Sequence, residues 1–132
     1  MSTRTATCSC GKLRVTVEGD PVRISMCHCL ACQRRTGSVF AVQARWEDAN
    51  VRIDGEHRDY ERISDDGEAR TFSFCPDCGA TVFYRTASAP GLVAVPVGAL
   101  ADPSFPPPTV YVYESRRHPW VVLPPGIENA DA

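Results

Sequence analysis

The 132-residue sequence has no long apolar run. Its longest, Gly91 to Ala101, is broken by Pro96 and falls far short of the ~20 residues that a membrane span needs. Nor does the chain open on the apolar stretch of a signal peptide. Met1-Ser2-Thr3-Arg4-Thr5 is polar, so a cytoplasmic protein is expected, with no membrane partner. Charge of one sign is also lacking. Fourteen Lys and Arg stand against sixteen Asp and Glu, a formal net charge of -2. A polyanion-wrapping surface is therefore excluded as the default, and no nucleic-acid partner is expected. There is no internal repeat, and helical periodicity is confined to Leu30 to Thr36. At 14.4 kDa, with 43% hydrophobic and 23% charged residues, the chain is one globular domain rather than two or a disordered segment.

What the chain does have is cysteine: seven residues, in three clusters. They read Cys8-Ser9-Cys10-Gly11, Cys27-His28-Cys29-Leu30-Ala31-Cys32 and Cys75-Pro76-Asp77-Cys78-Gly79. An odd number cannot pair completely as disulfides within one chain. Clustered cysteines in a reducing compartment bind metal or do chemistry more often than they cross-link. Free cysteine as a small buried hydrophobe accounts for isolated residues, not for triplets.

The remaining pattern has a period of two. Leu13, Val15 and Val17 alternate with Arg14, Thr16 and Glu18, which predicts a half-buried strand. Further strands are predicted at 22–26, 38–45, 58–63, 68–74, 81–85, 92–97 and 109–114. Ser64-Asp65-Asp66-Gly67 is a hairpin signal between two of them. The cluster of Pro103, Pro106, Pro107 and Pro108 marks an irregular connection. Pro124 and Pro125 point to a flexible tail over 123–132, after a single domain over 1–122. The class is mainly β, with twisted antiparallel sheets of short strands. Tyr111 and Tyr113 should face opposite ways from Val110 and Val112, and Trp46 and Trp120 are expected in the core or as a lid. Charge is unevenly placed: residues 1–46 carry a balance of +5, and residues 47–68 one of -6. The acidic stretch suits a solvated hairpin face, and the basic one could attract a small anion.

Cys75-Pro76-Asp77-Cys78-Gly79 has the form of a metal knuckle. Two thiolates three residues apart converge on one ion, and a glycine tolerates the positive φ that lets backbone N–H groups approach sulfur. Cys8 and Cys10 offer a second pair, placed on one side of an extended chain. Cys8, Cys10, Cys75 and Cys78 supply the four thiolates of a structural zinc, which would staple the fold. A redox disulfide between Cys75 and Cys78 is the alternative, without a βαβ pattern to support it. Cys27, Cys29 and Cys32 remain. Three thiolates suit a second zinc, giving two per chain. An open site can accept a substrate; a closed one would take His28, His57 or His118 as fourth ligand. His28, between Cys27 and Cys29, should point away. A soft thiol fits the open site better than water hydrolysis does, because three thiolates already lower the Lewis acidity of the ion. Gln33, Arg34 and Arg35 follow the triplet, as a solvated turn or as a grip on a substrate carboxylate. Arg116, Arg117 and His118 could serve likewise.

The arrangement CxCG, CHCxxCQRxTG and CPxCG, at 8–11, 27–37 and 75–79, resembles the glutathione-dependent formaldehyde-activating enzyme family. Phe40 and the segment Ser115 to Trp120 are similar too. The resemblance spans about residues 3–120. It implies a β-tent fold, a structural zinc on Cys8, Cys10, Cys75 and Cys78, and a reactive zinc on Cys27, Cys29 and Cys32. It also implies a carbon–sulfur lyase activity that joins glutathione and formaldehyde into S-hydroxymethylglutathione. The partners would then be a small thiol and an aldehyde. A non-catalytic thiol carrier or a protein-interaction module has the same zinc motifs, and oligomeric state is not encoded in them.

Overall fold

The computed structural model describes residues 2–131. It is mainly β, with two sheets of short strands. The smaller sheet has the order β1-β2-β5: β1 (Thr3–Thr7), β2 (Arg14–Glu18) and β5 (Val51–Asp54), all antiparallel. The larger sheet begins with β3 (Arg23–Cys27), β4 (Ala41–Glu47) and β9 (Leu92–Pro96). It continues through β8 (Thr81–Thr86) and β7 (Ala69–Phe74) to β6 (Arg58–Ile63). On the other side of β3 lie β10 (Val110–Val112) and β11 (Glu128–Asn129). A single helix, α1 (Leu30–Thr36), follows β3. No helix among the described residues is long and apolar enough to cross a membrane.

Alternation makes both sheets two-faced. Leu13, Val15 and Val17 are fully buried and meet Ile24, Ala44, Trp46, Val93 and Val95 of the larger sheet in one core. The opposite face of β3 and β4 carries Arg23, Ser25 and Cys27 directly across from Arg45, Gln43 and Ala41. That second face is the floor of the site. The β6–β7 hairpin turns at 64–67, as the sequence predicts.

Several details depart from the sequence reading. The strand expected from residue 38 starts at Ala41, because α1 ends at Gly37 and the chain must turn first. β1 and β11 carry too little apolar alternation to be predicted, and β5 alternates over only four residues. Pairing is parallel at one end of the larger sheet, β3 with β10 and β10 with β11. The irregular, proline-rich connection carries the chain across from β9, so β10 arrives parallel. Residues 123–132, expected as a flexible tail, contain β11. The Asp131 carboxylate there accepts the N–H groups of Tyr113 and Glu114. Tyr113 has φ 57, so strand alternation stops at Val112, and Tyr113 packs beside the Cys27 cluster. Trp46 is buried as expected, whereas Trp120 is exposed.

Candidate metal centres

The first centre joins the two sheets. Cys8 and Cys10 lie on the turn after β1, not on extended chain as expected, and Cys75 and Cys78 lie on the turn between β7 and β8. Both turns are built alike. Gly11 N–H reaches Cys8 O at 3.1 Å, and Gly79 N–H reaches Cys75 O at 2.8 Å. Gly79 has φ 81, a conformation that glycine adopts without strain. The Cys10 sulfur is 3.6 Å from the sulfurs of both Cys8 and Cys75, and all four sulfurs lie within 4.8 Å of one another. The Ala80 N–H and then the Cys10 N–H pull the Cys78 thiol down to about 6. Burial pushes the Cys8 thiol up, but the Leu13 N–H at 3.2 Å outweighs it together with neighbouring sulfurs, and the net direction is down. Four converging thiols with backbone N–H donors are a donor set for a soft or borderline metal ion.

The second centre stands where β3 meets α1. Cys27 ends the strand. Cys29 is the N-cap of the helix, and its sulfur accepts the Cys32 N–H at 3.2 Å, the place usually filled by a Ser or Asp oxygen. Cys32 lies in the first turn. The three sulfurs lie within 4.8 Å of one another and all three residues are buried. Donation from Cys27 and then Cys32 pulls the Cys29 thiol down to about 2, while donation to Cys29 and then to Cys32 pushes Cys27 up. The three sulfurs thus differ in how readily they ionise, with Cys29 favoured over Cys27. These donors too could hold a metal ion.

No histidine joins this group among the described residues. His28 is fully buried on the other face, edge-on to Phe40 and Tyr111, with neither ring nitrogen hydrogen-bonded. His57 meets Asp59 at 2.9 Å, and His118 meets Gln33 Oε1 at 2.9 Å. The His28, His57 and His118 alternatives for a fourth ligand thus find no support in the geometry.

A cavity of about 510 Å³ lies over the three thiols. Its walls come from α1, the β6–β7 hairpin and the segments around Tyr113 and Asp131. Gln33, Arg34 and Arg35 do not line it. The Gln33 amide donates to His28 O at 2.9 Å and Arg116 O at 3.1 Å, tying α1 to the C-terminal segment. Arg35 stacks over Phe72 at 4.7 Å and Tyr84 at 5.6 Å. Arg34 is exposed and lines a neighbouring cavity of about 520 Å³ with Arg35, Tyr60 and Arg62. Sequence reasoning missed the arginines that do line the thiol cavity: Arg23, Arg45, Arg62 and Arg70. For Arg23 the signal was there, since residues i and i+4 of a strand share a face and Cys27 is four residues on.

The family model described as glutathione-dependent formaldehyde-activating enzyme matches residues 3–116, and the chain belongs to that family. A crystal structure of a Rhodobacter sphaeroides protein is similar at TM-score 0.59 and 24% identity. The match covers 75% of this chain and 91% of that one, and supports the fold alone. Among curated proteins there is no match.

Proposed function

We propose, with membership of the glutathione-dependent formaldehyde-activating family as the premise, that this protein is a zinc-dependent carbon–sulfur lyase. It binds a small thiol such as glutathione beside Cys27, Cys29 and Cys32 and adds it to an aldehyde such as formaldehyde, or runs the reverse. The carrying observation is the cluster of three buried thiols, without a fourth His, Cys, Asp or Glu in the group among the described residues, under a cavity large enough for a small molecule. The donor chemistry fits zinc in both centres, with Cys8, Cys10, Cys75 and Cys78 holding a structural ion. A zinc ion bound to the three thiolates would favour the thiolate form of an incoming thiol.

The protein's own side chains supply the rest. Cys27, Cys29 and Cys32 would hold the ion to which the sulfur end of the substrate binds. Arg62 adds positive charge near Cys29, and Arg35 does so near Cys32, which offsets the negative balance of three thiolates. Val112 and Tyr113 pack against the thiols and limit water there. The Tyr113 phenol, pushed up first by burial, stays a neutral hydroxyl at pH 7. Holding the two reactants together removes the entropic cost of their encounter. Free thiols in this number also suit a reducing compartment, the cytoplasm.

The test joins metal analysis to turnover. Two zinc ions per chain are expected, and X-ray absorption should gain one sulfur ligand when glutathione is added. Formation of S-hydroxymethylglutathione should exceed the uncatalysed rate and fall to it in Cys29→Ser. Sulfur binding without rate enhancement would make the protein a thiol carrier, and unchanged coordination would defeat the thiol-binding function altogether.

A further inference from the structure

The floor of the thiol cavity ends in an unusual pair. Arg23 and Arg45 sit directly opposite each other on β3 and β4. Directly opposed side chains have Cβ atoms only ~5 Å apart, and like charges there are destabilising. Both arginines are half-buried, and both line the cavity. Neither forms an ion pair among the described residues.

The acids that share the cavity are engaged elsewhere. Asp66 holds Arg70 at 3.2 Å, Glu68 accepts the Ser88 hydroxyl at 2.6 Å, and Asp131 accepts two backbone N–H groups. Asp65 lies at the exposed tip of the β6–β7 turn. Burial holds the Tyr84 phenol above its ordinary value, so at neutral pH it offers the pair a hydroxyl and no charge. Burial, and then the Arg45 charge, lower the Arg23 guanidinium from its ordinary value, as expected for adjacent cations without a counter-charge.

The pair is aligned with the thiols. Along the floor the cross-strand pairs run Arg23 with Arg45, Ser25 with Gln43, and Cys27 with Ala41. The middle pair is locked by a Gln43 Nε2 to Ser25 Oγ hydrogen bond of 2.8 Å, which keeps the floor rigid. Cys27 lies four residue steps along β3 from Arg23, a backbone run of ~13 Å.

We propose that Arg23 and Arg45 form an anion subsite that takes a carboxylate of the thiol substrate. The inference rests on the thiol-binding function above and deepens it, because it states what the far end of the substrate must carry. Two planar guanidiniums suit a carboxylate, which accepts paired N–H donors. A thiol with a carboxylate several bonds away reaches both ends of the floor. A short thiol reaches the sulfur end alone. The site thus selects thiols by a remote negative charge.

The zinc-loaded protein and its Arg23→Gln and Arg45→Gln variants are titrated with glutathione, 2-mercaptoethanol and succinate. Calorimetry gives affinity, and X-ray absorption reports sulfur at zinc. Thermal melts confirm folding, and Arg23→Lys and Arg45→Lys serve where a Gln variant fails to fold. Glutathione should bind about 10-fold to 100-fold more weakly to each Gln variant, the range for loss of a charge-assisted hydrogen bond. A Lys variant should fall between it and wild type. 2-Mercaptoethanol should bind all forms equally, and succinate should bind wild type but not the Gln variants. If glutathione affinity is unchanged while 2-mercaptoethanol adds sulfur to zinc, the anion subsite is overturned and the thiol function stands. If neither thiol adds sulfur, the thiol function fails and succinate decides. Binding to wild type that is lost in the variants supports the anion subsite, and no binding to wild type overturns it.

Discussion

At the scale of single residues, chemistry-bearing side chains were legible when their type limits their use. Seven cysteines in three clusters announce metal sites because sulfur donors at those spacings have few other employments. Gln33 was legible by position and not by role. Its amide bridges His28 O and Arg116 O, and its Oε1 meets His118 Nε2. Two of those partners lie more than eighty residues away, where no local pattern reaches. Gln33 therefore acts as a positioning residue that fixes α1, and with it Cys32, against the C-terminal segment. Gln33→Leu should lower stability by about 1 kcal/mol, since the half-buried contact to the His28 carbonyl is lost while the exposed Arg116 carbonyl turns to water. Urea denaturation of the zinc-loaded protein measures this, and amide exchange should quicken in α1 and around 116–118. Unaltered exchange in both segments would show that the bridge holds nothing in place.

At the scale of elements, the period-two strand β2 was readable because one face must be apolar to meet the core, and β9, Leu-Val-Ala-Val-Pro, was readable as a short continuous apolar run. β1, with sequence Thr-Arg-Thr-Ala-Thr, and the two-residue β11 owe their existence to edge pairing, which leaves little mark on composition. Their backbone partners supply what their side chains do not signal. β11 bears directly on the site. Its parallel pairing to β10 brings Asp131 over Tyr113, and both residues line the thiol cavity. Truncation before Gly126 removes this wall and leaves the Tyr113 and Glu114 N–H groups without their carboxylate. The expected result is several-fold faster chelator extraction of the ion at Cys27, Cys29 and Cys32, with unchanged release from the other centre. Stopped-flow competition with a chromophoric chelator resolves the two phases. Acceleration of both phases alike would mean that the segment stabilises the fold generally rather than covering one site.

At the scale of the whole molecule, the two cysteine groups divide the labour. Cys8 and Cys10 belong to the smaller sheet's hairpin, and Cys75 and Cys78 to the larger sheet, so one ion would tie the sheets together at the edge of their common core. The Lys12–Asp77 pair spans the same junction at 2.8 Å, but both side chains are exposed and such pairs contribute little. Binding of a structural zinc couples about 10–16 kcal/mol to folding, an amount comparable to the whole net stability of a domain. The Cys27, Cys29 and Cys32 group ties no sheets together. It joins the end of one strand to the helix that follows it. The two groups should therefore respond differently to the loss of one thiolate. Cys78→Ala should yield insoluble or unfolded protein, whereas Cys29→Ser should remain folded with one zinc per chain and lose thiol binding. Circular dichroism and metal analysis of both variants make the comparison. A soluble, native-like Cys78→Ala protein would place the stability in the hydrophobic core instead, and would remove the reason for a four-thiolate centre at the junction of the sheets.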